Sequence, residues 1–147
     1  MKCHLKALIV ILIVLGSFRA ESAELGIHFG PASLGSGGSN PLSIPPSGAD
    51  IGFSYLNDNK TDFQLSLVGI GYGKRIEFKS SGYMSLGGAI PFSINGIGLG
   101  VYSIFGWRLF ELDSGISGNI EYLQMIGLSS SGIVSPHSIR IGVDTSW

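Results

Sequence analysis

From Glu24 to the last residue, Trp147, side-chain character repeats with a period of two. Leu25, Ile27 and Phe29 alternate with Glu24, Gly26 and His28, and Ile51, Phe53 and Tyr55 alternate with Asp50, Gly52 and Ser54. The pattern returns at 63–67, 76–78, 86–92, 97–107, 116–122 and 139–147. Successive residues of a strand point to opposite faces, so this period predicts β-strands with one apolar and one polar face. No segment after residue 23 carries a helical period worth defending.

Eight such segments fit an antiparallel meander. "NDNK" (57–60), "SSG" (80–82) and "ELDSG" (111–115) have turn composition. The stretch 30–48 is a long Gly/Ser/Pro loop and 127–136 a second, shorter one. If the first strand rises from the periplasm, the long connections and "SING" (93–96) lie at the outer end and the three compact turns at the inner end. That asymmetry is typical of bacterial outer-membrane barrels. Parity switches near Val68 and Gly69 in "VGIGYGKR" (68–75), so a bulge or tight turn is expected near Gly71 to Gly73.

The start of the chain reads differently. Lys2 and Lys6 precede the apolar run "ALIVILIVLG", and small residues follow in "RAESAE". The run is too short to span a bilayer, which takes about 20 residues, but suits the h-region of a cleavable signal peptide. Cleavage after Ser22 or Ala23 is expected, giving a signal peptide over 1–23 and one barrel domain over 24–147. Cys3, the chain's one cysteine, precedes the run and leaves with it. The mature part carries six Lys and Arg against nine Asp and Glu, a balance that gives no reason to expect nucleic acid.

A soluble sandwich or a lipocalin-like barrel also alternates, with its apolar face inward. Three features favour the opposite arrangement. The polar faces are rich in glycine (Gly26, Gly52, Gly98, Gly100, Gly106, Gly142); glycine weakens an exposed strand but suits a narrow interior that side chains must just fill. Aromatics collect towards segment ends, Tyr55, Phe63, Phe78, Trp107 and Trp147 at one level and Phe29, Phe92 and Tyr122 at the other, as in interfacial girdles. The ionisable residues share the glycine-rich faces, where lipid would not meet them. Only 13% of the chain is charged, against about 25% in ordinary domains.

The final residues, Ile139, Ile141, Val143, Thr145 and Trp147, complete the argument. This spacing resembles the C-terminal signature of outer-membrane proteins that the barrel assembly machinery reads. The chain from 24 onward resembles the small outer-membrane β-barrel proteins of Gram-negative bacteria, a group that includes eight-stranded adhesion and membrane-anchor barrels. The resemblance implies an eight-stranded, up-and-down transmembrane barrel. It also implies an integral protein of the outer membrane and cell envelope, monomeric, with a structural or surface-interaction role. Its partners would be outer-membrane lipid and lipopolysaccharide.

Chemistry is sparser. Glu24, His28, Arg75, Glu77, Arg108, Glu121, Arg140 and Asp144 are expected to face inward as a mixed charge network, read either as a polar plug or as a gate or proton-linked site. Lys79 extends this set. A narrow channel is one alternative to a filled lumen. The other is a lipid-modifying enzyme, because lipid A deacylases are barrels of similar size with a terminal aromatic. Those carry His-x-Ser on one strand; here His137 and Ser138 are adjacent and point to opposite faces, and the preceding strand reads "EYLQM". No catalytic residue, cofactor or metal ligand set is expected: His28 lacks a second ligand nearby, and "GSGGSN" lacks the lysine of a phosphate loop.

Overall fold

A computed structural model describes residues 23–34, 48–93 and 96–147. The expected signal peptide, short of Ala23, and most of the 30–48 connection lie outside these described residues. The strands are β1 (Ala23–Ser33), β2 (Gly48–Asn57), β3 (Thr61–Ser66), β4 (Gly69–Glu77), β5 (Gly82–Ser93), β6 (Gly96–Ile97), β7 (Leu99–Glu111), β8 (Ile116–Ser129), β9 (Gly132–Val134) and β10 (His137–Ser146). Eight of them form a closed antiparallel barrel in the order β1-β2-β3-β4-β5-β7-β8-β10, with β10 returning to β1. The two-residue β6 and three-residue β9 fold back on β5 and β8. The expected all-β, eight-stranded barrel is the observed one, and the described residues contain no helix.

Closure follows from matched patterns. Leu25 pairs with Thr145, Ile27 with Val143 and Phe29 with Ile141, so the apolar residues of the first and last strands share a face. Two backbone bonds fasten the seam at its end: Ala23 N–H donates to the Trp147 carbonyl (3.1 Å), and Trp147 N–H to that of Ala23 (3.2 Å). This end, with the turns after β2, β4 and β7, is called the lower end. The opposite, upper end carries the connection from β1 to β2. The β1–β10 register gives no pairs at Gly30 and Pro31, where proline has no N–H to donate.

The structure corrects the sequence expectations in four places. The parity switch is a tight turn at Leu67 and Val68, not at Gly71 to Gly73: Ser66 pairs with Gly69. Gly69 has φ +149°, and a Cβ there would stand 2.5 Å from Met125 Sδ and 2.6 Å from the Ile90 carbonyl oxygen. The first strand runs on to Ser33. Most of the expected loop 127–136 is a β8–β9 hairpin, Ser129 pairing with Gly132. Finally, the aromatics do not make a second ring: Phe92 stands at the upper end of β5, whereas Phe29 and Tyr122 are mid-strand. Tyr55, opposite Phe63, is buried rather than exposed.

Inside and outside are chemically inverted relative to a soluble domain. Arg140 is 0% and Glu121 1% exposed, while Ile141, the next residue along β10, is 63% exposed. Lys74 is the outward-alternating cation of β4; its amine bends to the lower turn, donating to the Asn59 carbonyl (2.8 Å) and to Thr61 Oγ1 (2.9 Å), the behaviour of a long cation escaping an apolar surface. Inward glycines make room for large neighbours. A Cβ on Gly106 would fall 2.1 Å from the Tyr83 ring, and one on Gly71 2.9 Å from that of Tyr102. On the outer wall Trp107 lies across Gly82 and Phe110 across Gly118.

Gly106→Ala should therefore overpack the interior, costing about 1–3 kcal/mol. Gly88→Ala, whose Cβ meets nothing within 4 Å, should be nearly neutral. Urea midpoints of the two variants, refolded in the same detergent, check this; equal midpoints would contradict the packing described.

Candidate functional site in the barrel lumen

The inward charges form one connected cluster in the lower and middle lumen. Glu121 on β8 and Arg140 on β10 are direct cross-strand partners, and Arg140 donates from Nη2 to Glu121 Oε2. The same guanidinium reaches Gln64 Oε1 (3.2 Å) and lies 3.8 Å from Asp50 Oδ2. The Tyr83 hydroxyl donates to Glu121 Oε1 (2.5 Å). His28 enters from β1: its Nε2 is 2.8 Å from Ser54 Oγ and 3.5 Å from Asp144 Oδ1, and its Nδ1 is 3.3 Å from Glu121 Oε2. Asn119 donates to Asp144 Oδ2.

Below this layer, Arg75 donates to Glu24 Oε1 (2.8 Å), lies 3.8 Å from Asp62 Oδ2 and stacks 4.3 Å over the Tyr83 ring. Glu24 also accepts from Arg108 (3.3 Å) at the lower mouth. These groups are held inward because each lies on the face of its strand opposite the exposed apolar residues. In a closed low-dielectric interior, a charge must be met by another charge or by hydrogen bonds. Glycine supplies the space: a Cβ on Gly52 would touch Arg140 Nη1 at 2.8 Å, and one on Gly142 would touch His28 Nδ1 at 2.2 Å.

Seven of the eight residues expected in the lumen network meet there: Glu24, His28, Arg75, Arg108, Glu121, Arg140 and Asp144. Glu77 does not; it stands at the lower rim, paired with Lys60 at 2.8 Å, because β4 ends there. The sequence reading passed over Asp50, Asp62, Gln64, Tyr83, Asn119 and Ser138 as members. The face opposite the apolar residues of β2, β3 and β8 carried the signal for Asp50, Asp62, Gln64 and Asn119. Tyr83 had the same signal, standing an odd number of residues before the outward Leu86.

The lumen is not polar throughout. Above the ion cluster, Val68, Ala89, Tyr102, Ile104, Leu123 and Met125 pack into a buried apolar cluster with Ala32 and Tyr83. Val68, from the β3–β4 turn, is fully enclosed, and its carbonyl accepts from Phe92 N–H (2.8 Å). The turn thus tucks into the upper lumen, which a reading that took the inward faces as a polar plug could not foresee.

At the upper edge of the ion cluster Ser138 donates to Asp50 Oδ2 (2.9 Å), and Asp50 Oδ1 accepts from Leu67 N–H (3.0 Å). His137 packs by alternation on the other side of the wall, its ring 6.2 Å from that of Tyr122. Ser138 therefore has a carboxylate but not this histidine, and the pair builds no nucleophile and base. Among the described residues no group of three or more His, Cys, Asp and Glu is placed to hold a metal ion. What the arrangement does chemically is neutralise enclosed charge and fill the bore. No protein-family model and no curated protein matches this chain.

Arg140→Met should cost about 3–5 kcal/mol, since it strands Glu121 and Asp50 without their cation. Arg140→Met with Glu121→Gln should recover part of that loss. Denaturant unfolding in detergent measures both; a double variant no better than the single one would contradict the pairing.

Proposed function

We propose that this chain is an integral β-barrel protein of a Gram-negative outer membrane, exported by a cleaved signal peptide over 1–23. In this reading it belongs with the small outer-membrane barrels. It serves a structural or surface-interaction role through the connections at its upper end, which face outward among lipopolysaccharide. The barrel assembly machinery inserts it by the motif formed by Ile139, Ile141, Val143, Thr145 and Trp147.

One observation carries the reading. The wall exposes Ile27, Phe53, Ile76, Val101, Phe105, Trp107, Ile120, Ile141 and Val143 around the barrel, while Arg75, Arg140, Glu121, Asp62 and Asp144 are enclosed. In water this would leave a continuous apolar belt exposed, far beyond the patches that soluble monomers tolerate. In hydrocarbon it is the favourable distribution, and closure leaves no unpaired strand edge. Burial of the lumen side chains supports a filled interior rather than a channel. The opposed directions of His137 and Ser138 give the lipid-deacylase alternative no support.

Membrane fractionation with gel mobility tests this. The expressed protein should pellet with outer membranes and run as a faster band before boiling than after. A chain that stays folded and monodisperse in buffer without detergent would overturn the reading.

A further inference from the structure

Positive charge runs short inside the lumen. Asp50, Asp62, Glu121 and Asp144 are enclosed, each at most 1% exposed, against two enclosed guanidiniums, Arg75 and Arg140. Both guanidiniums are engaged elsewhere. Arg140 serves Glu121 and Asp50, and Arg75 serves Glu24 and Asp62. Arg108 pairs with Glu24 and Glu111 at the lower mouth. A carboxylate enclosed without a cation is costly, and such a group neutralises by taking up a proton.

Asp144 is that carboxylate. Among the described residues its one basic neighbour within ion-pair distance is His28, whose Nε2 lies 3.5 Å from Oδ1. Asp144 Oδ2 accepts from Asn119, but Oδ1 has no hydrogen-bond partner. Gly26 stands beside both groups: a Cβ there would fall 2.0 Å from Asp144 Oδ1 and 2.5 Å from His28 Nε2. The other ring nitrogen, Nδ1, also lacks a hydrogen bond, and it too faces acceptors. Glu121 Oε2 is 3.3 Å away, and the unpartnered Asn119 Oδ1 borders the same gap over Gly142. The ring therefore meets the Ser54 hydroxyl and three acceptor oxygens, a setting short of donors.

The pair also bridges the seam. His28 is on β1 opposite Gly142, and Asp144 is on β10 opposite Gly26, so the two face each other diagonally across it. The other charges that reach them are Glu24 from β1, Asp50 from β2, Arg75 from β4, Glu121 from β8 and Arg140 from β10. Asp62 of β3, Tyr83 of β5 and Arg108 of β7 stand one step further off, through Arg75, Glu121 and Glu24. Among the nearer groups carboxylates outnumber guanidiniums.

We propose that the folded barrel binds one proton on the His28–Asp144 pair at neutral pH, and that this proton latches the first strand to the last. The proton belongs to the pair, which titrates as a unit. This goes beyond the membrane reading and does not depend on it. In the unfolded chain the pair's proton sits on the histidine and is lost above about pH 6.5. Folding above that pH takes a proton up, so stability falls as pH rises until the folded barrel releases it.

Refolding from urea into detergent at pH 7.5, in weak buffer with an indicator dye, measures the uptake directly. The expected result is about one proton per barrel, with a folding equilibrium constant that falls by up to about tenfold per pH unit above 7. Asp144→Asn keeps the side chain's shape and removes the charge that calls for the proton, so it should show neither uptake nor slope. Refolding of the unaltered barrel without uptake, which needs no variant to observe, would overturn the proposal. So would an uptake that persists in Asp144→Asn, since the proton would then reside elsewhere.

Discussion

β1 and β10 pair from Glu24 with Ser146 to Ser33 with His137, and the remaining structure depends on that seam. An open sheet of this composition would present two unpaired edges and two solvent-facing surfaces, one of them ionic. Closure removes the edges and divides the environment in two. The outer wall can be apolar because the ionic groups are turned inward, and those enclosed in the bore are tolerated because they reach one another across it.

The narrowness of an eight-stranded bore explains the composition of the inner faces. Tyr83, Tyr102, Arg140 and His28 are too large to coexist in it without gaps in the facing strands, and those gaps are Gly106, Gly71, Gly52 and Gly142. The interior then divides by height. Ionic side chains come from β1, β2, β3, β4, β7, β8 and β10 in the lower and middle lumen. The upper part is filled by Ile104, Leu123, Met125 and the inturned Val68. A polar plug and an apolar plug are stacked in one barrel.

Much of this was legible in the sequence because the period of two fixes faces without knowledge of partners. It placed Glu121 beside Arg140, set His28 near them, and turned Gly52, Gly106 and Gly142 inward. What it did not resolve was contact across the bore, which depends on stagger between strands: Arg75 reaches Glu24, and Tyr83 reaches Glu121, across long sequence separations. The β3–β4 turn was half legible: parity switches near Val68 and Gly69, but Leu67 and Val68 carry no turn composition, so the turn's own residues were not.

The central claim is that the wall faces lipid while the charges are enclosed. Because the described residues contain no cysteine, single cysteines can carry spin labels along β10 in bilayer vesicles. Collision with oxygen, which concentrates in hydrocarbon, should be high at 139, 141 and 143 and low at 140, 142 and 144. Strong collision instead with a water-soluble nickel chelate at the odd positions would contradict the account.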